Sequence, residues 1–83
     1  MSYYVYVLYS ETFDRYYIGS TQSVSERISR HNAGVETYTK KYIPWELKIS
    51  LEKMTRSEAY QLEPKLKNLN REKLIKFIKK YDE

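Results

Sequence analysis

The chain has 83 residues, which predicts one domain spanning 1–83 and leaves no room for a second. It has no cysteine and one histidine, which excludes disulfides, thiolate chemistry and a multi-histidine metal site. Fifteen Lys+Arg against eleven Asp+Glu give a net charge of +4, a balance that suits a polyanion partner as well as an ordinary solvated surface.

Met1 to Tyr9 lacks the basic start and cleavage pattern of a secretory leader, and no apolar run approaches a membrane span, so a cytoplasmic protein is expected. Tyr3 to Tyr9 is aromatic and β-branched and predicts a strand, with Tyr4, Tyr6 and Leu8 on one face and Val5, Val7 and Tyr9 on the other. Ser10 to Asp14 reads as a turn and Tyr16 to Ser20 as the second strand of a hairpin. Ser23 and Glu26 have capping-box spacing, so a helix follows to about Asn32, with Gly34 as its stop. Val24 and Ile28 form its apolar stripe, while Arg27 and His31 share a neighbouring face.

Val35 to Tyr42 reads as an irregular basic loop. After Pro44, the segment Trp45 to Leu51 alternates, which predicts a half-buried third strand with Trp45, Leu47, Ile49 and Leu51 on one side. Thr55 and Glu58 repeat the capping-box spacing, and Ala59, Leu62, Leu66 and Leu69 follow at helical intervals. Pro64 interrupts this helix and predicts a kink, or an end and a restart. Asn70 caps a last helix, with Leu74, Phe77, Ile78 and Tyr81 inward and lysines outward. The order β-β-α-β-α-α predicts an α+β fold: a small antiparallel sheet covered by helices.

Ten tyrosines against two phenylalanines suggest that some phenols face a polar site, because a core needs only ring area. The hairpin offers Tyr6, Tyr17 and Gly19, the first helix Arg27 and His31, and the later helix Glu63. Arginine holds a phosphate, glutamate holds a hard cation, and tyrosine or histidine moves a proton; these are the parts of a phosphodiester hydrolase. A metal here would be held by oxygen, which favours magnesium or manganese over zinc. Nothing in the spacing alone brings these groups together.

Tyr4-Val5-Tyr6 and Tyr17-Ile18-Gly19 resemble the paired tripeptides that name the GIY-YIG nuclease superfamily. Arg27 follows Tyr17 by ten residues, His31-Asn32 come four further on, and Glu63 to Lys67 resembles an E-x-x-x-K segment. The ordered set is similar to the small stand-alone bacterial branch, which in turn resembles the nuclease domain of the excinuclease C subunit. The resemblance implies a three-stranded antiparallel sheet flanked by helices and a divalent-metal-dependent DNA endonuclease, acting on branched, flapped or nicked DNA in repair or recombination. It further implies that Tyr17 helps activate water, Tyr6 supports the site, Arg27 steadies the phosphate, and His31 positions a phosphate or shares proton transfer. Glu63 would be the ligand of one Mg2+ or Mn2+ ion, with Gly19 and Lys67 on the substrate side.

Each position also has a plain structural reading. Tyr6 and Tyr17 can be sheet-packing residues, His31 a satisfied core histidine, Arg27 a surface helix residue, and Glu63 a helix charge paired with Lys67. Two positions depart from the family pattern: Tyr4 replaces the glycine of the first tripeptide, and Ser20 stands where excinuclease-type members carry lysine. The alternative function is a non-catalytic nucleic-acid-binding module on the same fold.

Overall fold

The computed structural model describes residues 2–82. The elements are β1 (Tyr3–Ser10), β2 (Arg15–Thr21), α1 (Val24–Asn32), a 3-10 helix (Thr39–Tyr42), β3 (Glu46–Lys53), α2 (Arg56–Lys67) and α3 (Arg71–Asp82). The strands form one antiparallel sheet in the order β2-β1-β3, so the first strand is central and the hairpin partner β2 is an edge.

A central strand covered on both faces must bury both of its side-chain rows. Val5, Tyr6, Val7 and Leu8 are accordingly all within 1% of full burial. Val5 and Val7 point into one layer with Ile18, Ile49, Ala59 and Leu66 of α2, and Leu74 and Ile78 of α3. Tyr6 and Leu8 point into the other with Trp45, packed on by Tyr17, Ile28 of α1, Tyr42 and Ile43. The sheet is thus a three-stranded partition between an aliphatic layer and an aromatic one.

The caps form where the sequence places them. Ser23 accepts from the Glu26 backbone N–H at 3.4 Å, Thr55 from that of Glu58 at 3.2 Å, and Asn70 from that of Lys73 at 2.9 Å. At the hairpin turn Asp14 takes φ +53°, a left-handed conformation that Asp tolerates better than most residues. Its carboxylate accepts from the Tyr9 hydroxyl at 2.7 Å and pairs with Arg71, which ties the turn to α3.

Three expectations need correction. The predicted single face of Trp45, Leu47, Ile49 and Leu51 is split by a bulge: Val7 lies opposite Ile49, but Leu8 lies opposite Leu47, leaving Lys48 as an extra residue. One extra residue reverses the alternation. Ile49 and Leu51 therefore face the α2–α3 layer, while Leu47 lies on the Tyr6 side of the sheet and stays 38% exposed. The loop Val35 to Tyr42 contains the 3-10 helix, with Thr39 fully buried. The second helix neither ends nor restarts at Pro64; it continues to Lys67, and the Pro64 carbonyl accepts from the Asn68 N–H at 3.0 Å.

Pro64 still lacks the N–H that would bond the Tyr60 carbonyl, in a stretch where both residues are exposed. Pro64→Ala should therefore stabilise the protein by about 1–3 kcal/mol, read from urea unfolding. A decrease would mean that the proline ring itself supports the packing of α2.

Candidate functional site

The site begins in the aromatic layer, with two polar side chains that are almost wholly enclosed. Tyr6 and His31 are each 1% exposed, and the Tyr6 hydroxyl hydrogen-bonds His31 Nε2 at 3.0 Å. His31 Nδ1 bonds the Thr39 hydroxyl at 2.7 Å, so both ring nitrogens have partners. Thr39 belongs to the 3-10 helix, whose carbonyl at the same residue accepts from Trp45 Nε1 at 2.9 Å. Asn32 then clamps the Trp45 backbone, accepting its N–H at 2.6 Å and donating to its carbonyl at 3.0 Å. This run leads through the cis Ile43–Pro44 bond into β3.

Gly19 sits opposite Tyr6 in the sheet. A Cβ there would lie 2.5 Å from the Tyr6 hydroxyl oxygen. Here the glycine of the second tripeptide makes room for the tyrosine of the first.

Above this layer lie groups that reach solvent. Tyr17 is half-buried, edge-on to His31 with centroids 5.1 Å apart and 6.4 Å from the Tyr6 ring. Arg27 of α1 has 42% of its side chain exposed and a loose pairing with Glu36 at 3.8 Å. Glu63 of α2 has 22% exposed and accepts from Lys67 Nζ at 2.7 Å. The Ser20 hydroxyl lies within reach of the same carboxylate.

Two surface clefts lie near Glu63, which lines neither of them. One, of about 400 Å³, is lined by Ser20, Thr21, Arg27, Arg56 and Tyr60. The other, of about 350 Å³, is lined by Tyr17, Tyr38, Leu66 and Lys67. Glu63 interacts with one residue of each, and β2 runs between them, since it supplies both Tyr17 and Ser20.

The structure therefore groups Tyr6, Tyr17, His31 and Gly19 in direct contact, and Glu63 with Lys67. Arg27 and Glu63 act on Tyr6 through their charges. Burial above all, and then Tyr17, Glu63 and Glu36, push the Tyr6 phenol up to about 12, with Arg27 pulling the other way. Tyr6 is a neutral hydrogen-bonding group at physiological pH. Three members of the arrangement have no signal in the sequence reading: Thr39 in a loop with no periodicity, Glu36 beside it, and Ser20, noticed there only as a departure.

His31 is held below its ordinary value by burial, with Arg27 and Arg30 adding to the effect and Glu36 opposing it. Glu63 is also lowered: desolvation pushes it up, but bonding from Lys67 and Ser20 and the Lys67 charge outweigh this. It is an ionised carboxylate with one exposed side. Among the described residues no group of three or more His, Cys, Asp or Glu could hold a metal. A lone ionised carboxylate suits magnesium or manganese, which keep much of their hydration shell, and would not suit a zinc site.

The depressed His31 has a consequence for stability. Between its folded value and the unfolded value near 6.5, the unfolded chain binds more protons. His31's contribution is thus fully present above about pH 6.5 and is lost as the pH falls through that window. Thermal unfolding followed from pH 7.5 to 5.5 should show a falling Tm for the parent and a flatter profile for His31→Asn. Separately, Gly19→Ala should cost about 1–3 kcal/mol in urea unfolding through the clash with Tyr6; an unchanged midpoint would show that the Tyr6 ring can move aside.

The model of the GIY-YIG catalytic domain matches residues 2–81. Among solved structures, the chain is similar to a UPF0213 protein from Bacillus halodurans determined by NMR in solution. The TM-score is 0.62 and the identity 30%, over 95% of this chain and 84% of that one. No curated protein matches the chain. The family model covers nearly every residue, including both tripeptides, Arg27, His31 and Glu63, and the chain belongs to the GIY-YIG nuclease family.

Proposed function

We propose that the chain is a divalent-metal-dependent endonuclease that hydrolyses DNA phosphodiester bonds at branched, flapped or nicked sites, in the cytoplasm and in the service of repair or recombination. The observation that supports this reading is Glu63: an ionised, partly exposed carboxylate that interacts with Ser20 of the cleft containing Arg27 and with Lys67 of the cleft containing Tyr17.

The roles divide by accessibility. Arg27, with its guanidinium open to solvent, holds the non-bridging oxygens and complements the charge that grows on the phosphate. Tyr17, half-buried where Tyr6 and His31 are enclosed, orients the attacking water. Tyr6 and His31 are too enclosed to meet a phosphate; they fix Tyr17 from beneath. Lys67 contributes a mobile positive charge beside the substrate. Glu63 would hold one Mg2+ or Mn2+ ion, which supplies further positive charge at the phosphate when bound.

A second reading has one observation in its favour. Lys67 Nζ stands 2.7 Å from Glu63, where a metal would have to approach. If that pair is permanent, the same clefts bind nucleic acid without cutting it.

Nicking assays with magnesium or manganese on branched, nicked and single-stranded DNA decide between them. Glu63→Gln and Arg27→Ala should each lower the cleavage rate by roughly 10²–10³-fold. Equal rates in parent and variants would trace any cleavage to a contaminant. Salt-dependent binding without cleavage by the parent would establish the binding module instead.

A further inference from the structure

The cleft that holds Arg27 extends well beyond the residues of the proposed chemistry. Its far wall is the first turns of α2, where Arg56 and Tyr60 lie four residues apart and so on one side of the helix. Tyr60 is 62% exposed, more than Phe13, Tyr38 or Tyr81, and it belongs to neither core layer. The Arg56 guanidinium lies over the Tyr3 ring, 5.6 Å from its centre. That contact holds the charge at the cleft without neutralising it. Among the described residues Arg56 has no carboxylate within ion-pair distance, and Arg27 only Glu36 at 3.8 Å.

These features specify a ligand chemistry. Two arginines lining one cleft suit successive phosphates of a chain, since each guanidinium offers a fork of donors to phosphate oxygens. An exposed tyrosine beside them offers a flat apolar face. The matching surface on nucleic acid is the face of an unstacked base, which only an unpaired nucleotide presents; a duplex hides its base faces within the stack. The cleft also includes Ser20, whose hydroxyl lies within reach of the Glu63 carboxylate, and Arg27, so what it holds lies beside what would be cut.

We infer that Arg56 and Tyr60 form a subsite for unpaired nucleotides of a DNA strand flanking the scissile phosphate, with Arg56 on the phosphate and Tyr60 stacked on the base. The inference deepens the nuclease reading and rests on it for the word scissile. It also gives a reason for selectivity toward branched or flapped DNA, because those substrates supply an unpaired strand at a junction.

The test uses fluorescence anisotropy at low salt with Glu63→Gln protein, so that nothing is cleaved. The probes are a labelled single-stranded DNA, the same strand in a blunt duplex, and the same strand with an abasic tract. Tyr60→Ala should weaken single-strand binding by roughly five- to one-hundred-fold and leave duplex and abasic binding within about two-fold. Arg56→Ala should weaken single-strand binding on normal and abasic strands alike. Lys76→Ala, on exposed α3, should alter none of these ratios. Single-strand binding by Tyr60→Ala equal to the parent overturns the subsite, and so does an equal loss on all three probes. The nicking assay is read separately. Cleavage without the Tyr60 pattern removes the subsite and leaves the nuclease reading; the Tyr60 pattern without cleavage upholds the subsite and removes the nuclease reading.

Discussion

The hydrogen bond between Tyr6 and His31 is the constraint on which the aromatic side of this protein depends. Both side chains are enclosed, and an enclosed polar group without a partner costs on the order of 1–3 kcal/mol. Each partner found for one group creates a requirement for the next. His31 turns its second nitrogen to Thr39, and so the loop after α1 must fold back and tighten into a 3-10 turn. That turn presents its carbonyl to the Trp45 indole, and Asn32 fixes the Trp45 backbone just before β3 enters the sheet. Gly19 is the matching requirement on the other side, since any side chain there would occupy the volume of the Tyr6 hydroxyl. A single buried phenol thereby relates the first strand, the second strand, the first helix, the loop and the third strand.

This also explains what the amino-acid sequence reveals and what it conceals. Helix starts were legible because a hydroxyl three residues before a glutamate is a local device, complete within four residues. The faces of β1 were legible for the same reason: alternation needs no partner. The faces of β3 were not, because the extra residue at Lys48 is defined only by the strand it pairs with. Of the two outcomes expected at Pro64, the end and restart does not occur, because the apolar row Ala59, Leu62 and Leu66 continues to bury itself across an otherwise exposed stretch. The candidate site residues were legible only as a set of types and spacings that resembles a family's. Their division into enclosed and exposed was not. Tyr6 and Tyr17 look equivalent as letters, and only packing makes one a support and the other a surface.

Thr39 and Ser20 show the limit most clearly. A threonine in an irregular loop has no periodic signature, yet it is the group that completes the bonding of His31. Ser20 alternates away from Tyr17 and Gly19 along β2, which in a flat sheet would place it on the wrong face for a shared site. Because β2 is an edge strand, residues of both its faces come within reach of α2, and Ser20 reaches the Glu63 carboxylate while Tyr17 shares a cleft with Lys67.

On the proposed reading, Glu63 would have to serve both a lysine and a metal. Glu63 and Lys67 form an i,i+4 pair on α2, and the Lys67 side chain is 52% exposed. Exposed pairs of this kind contribute only about 0–1 kcal/mol, since water solvates both charges well when they part. Displacing the lysine is therefore cheap, and its flexible stem lets the ammonium move toward an arriving phosphate. Ser20 offers the carboxylate a second partner, so Glu63 need not lose its position when the lysine leaves. On this account the ion pair would be a resting arrangement that keeps Glu63 ionised, beside Ser20 of one cleft and Lys67 of the other. The exchange would involve Lys67, Ser20 and the partly exposed Glu63, none of which belongs to the enclosed Tyr6–His31 pair.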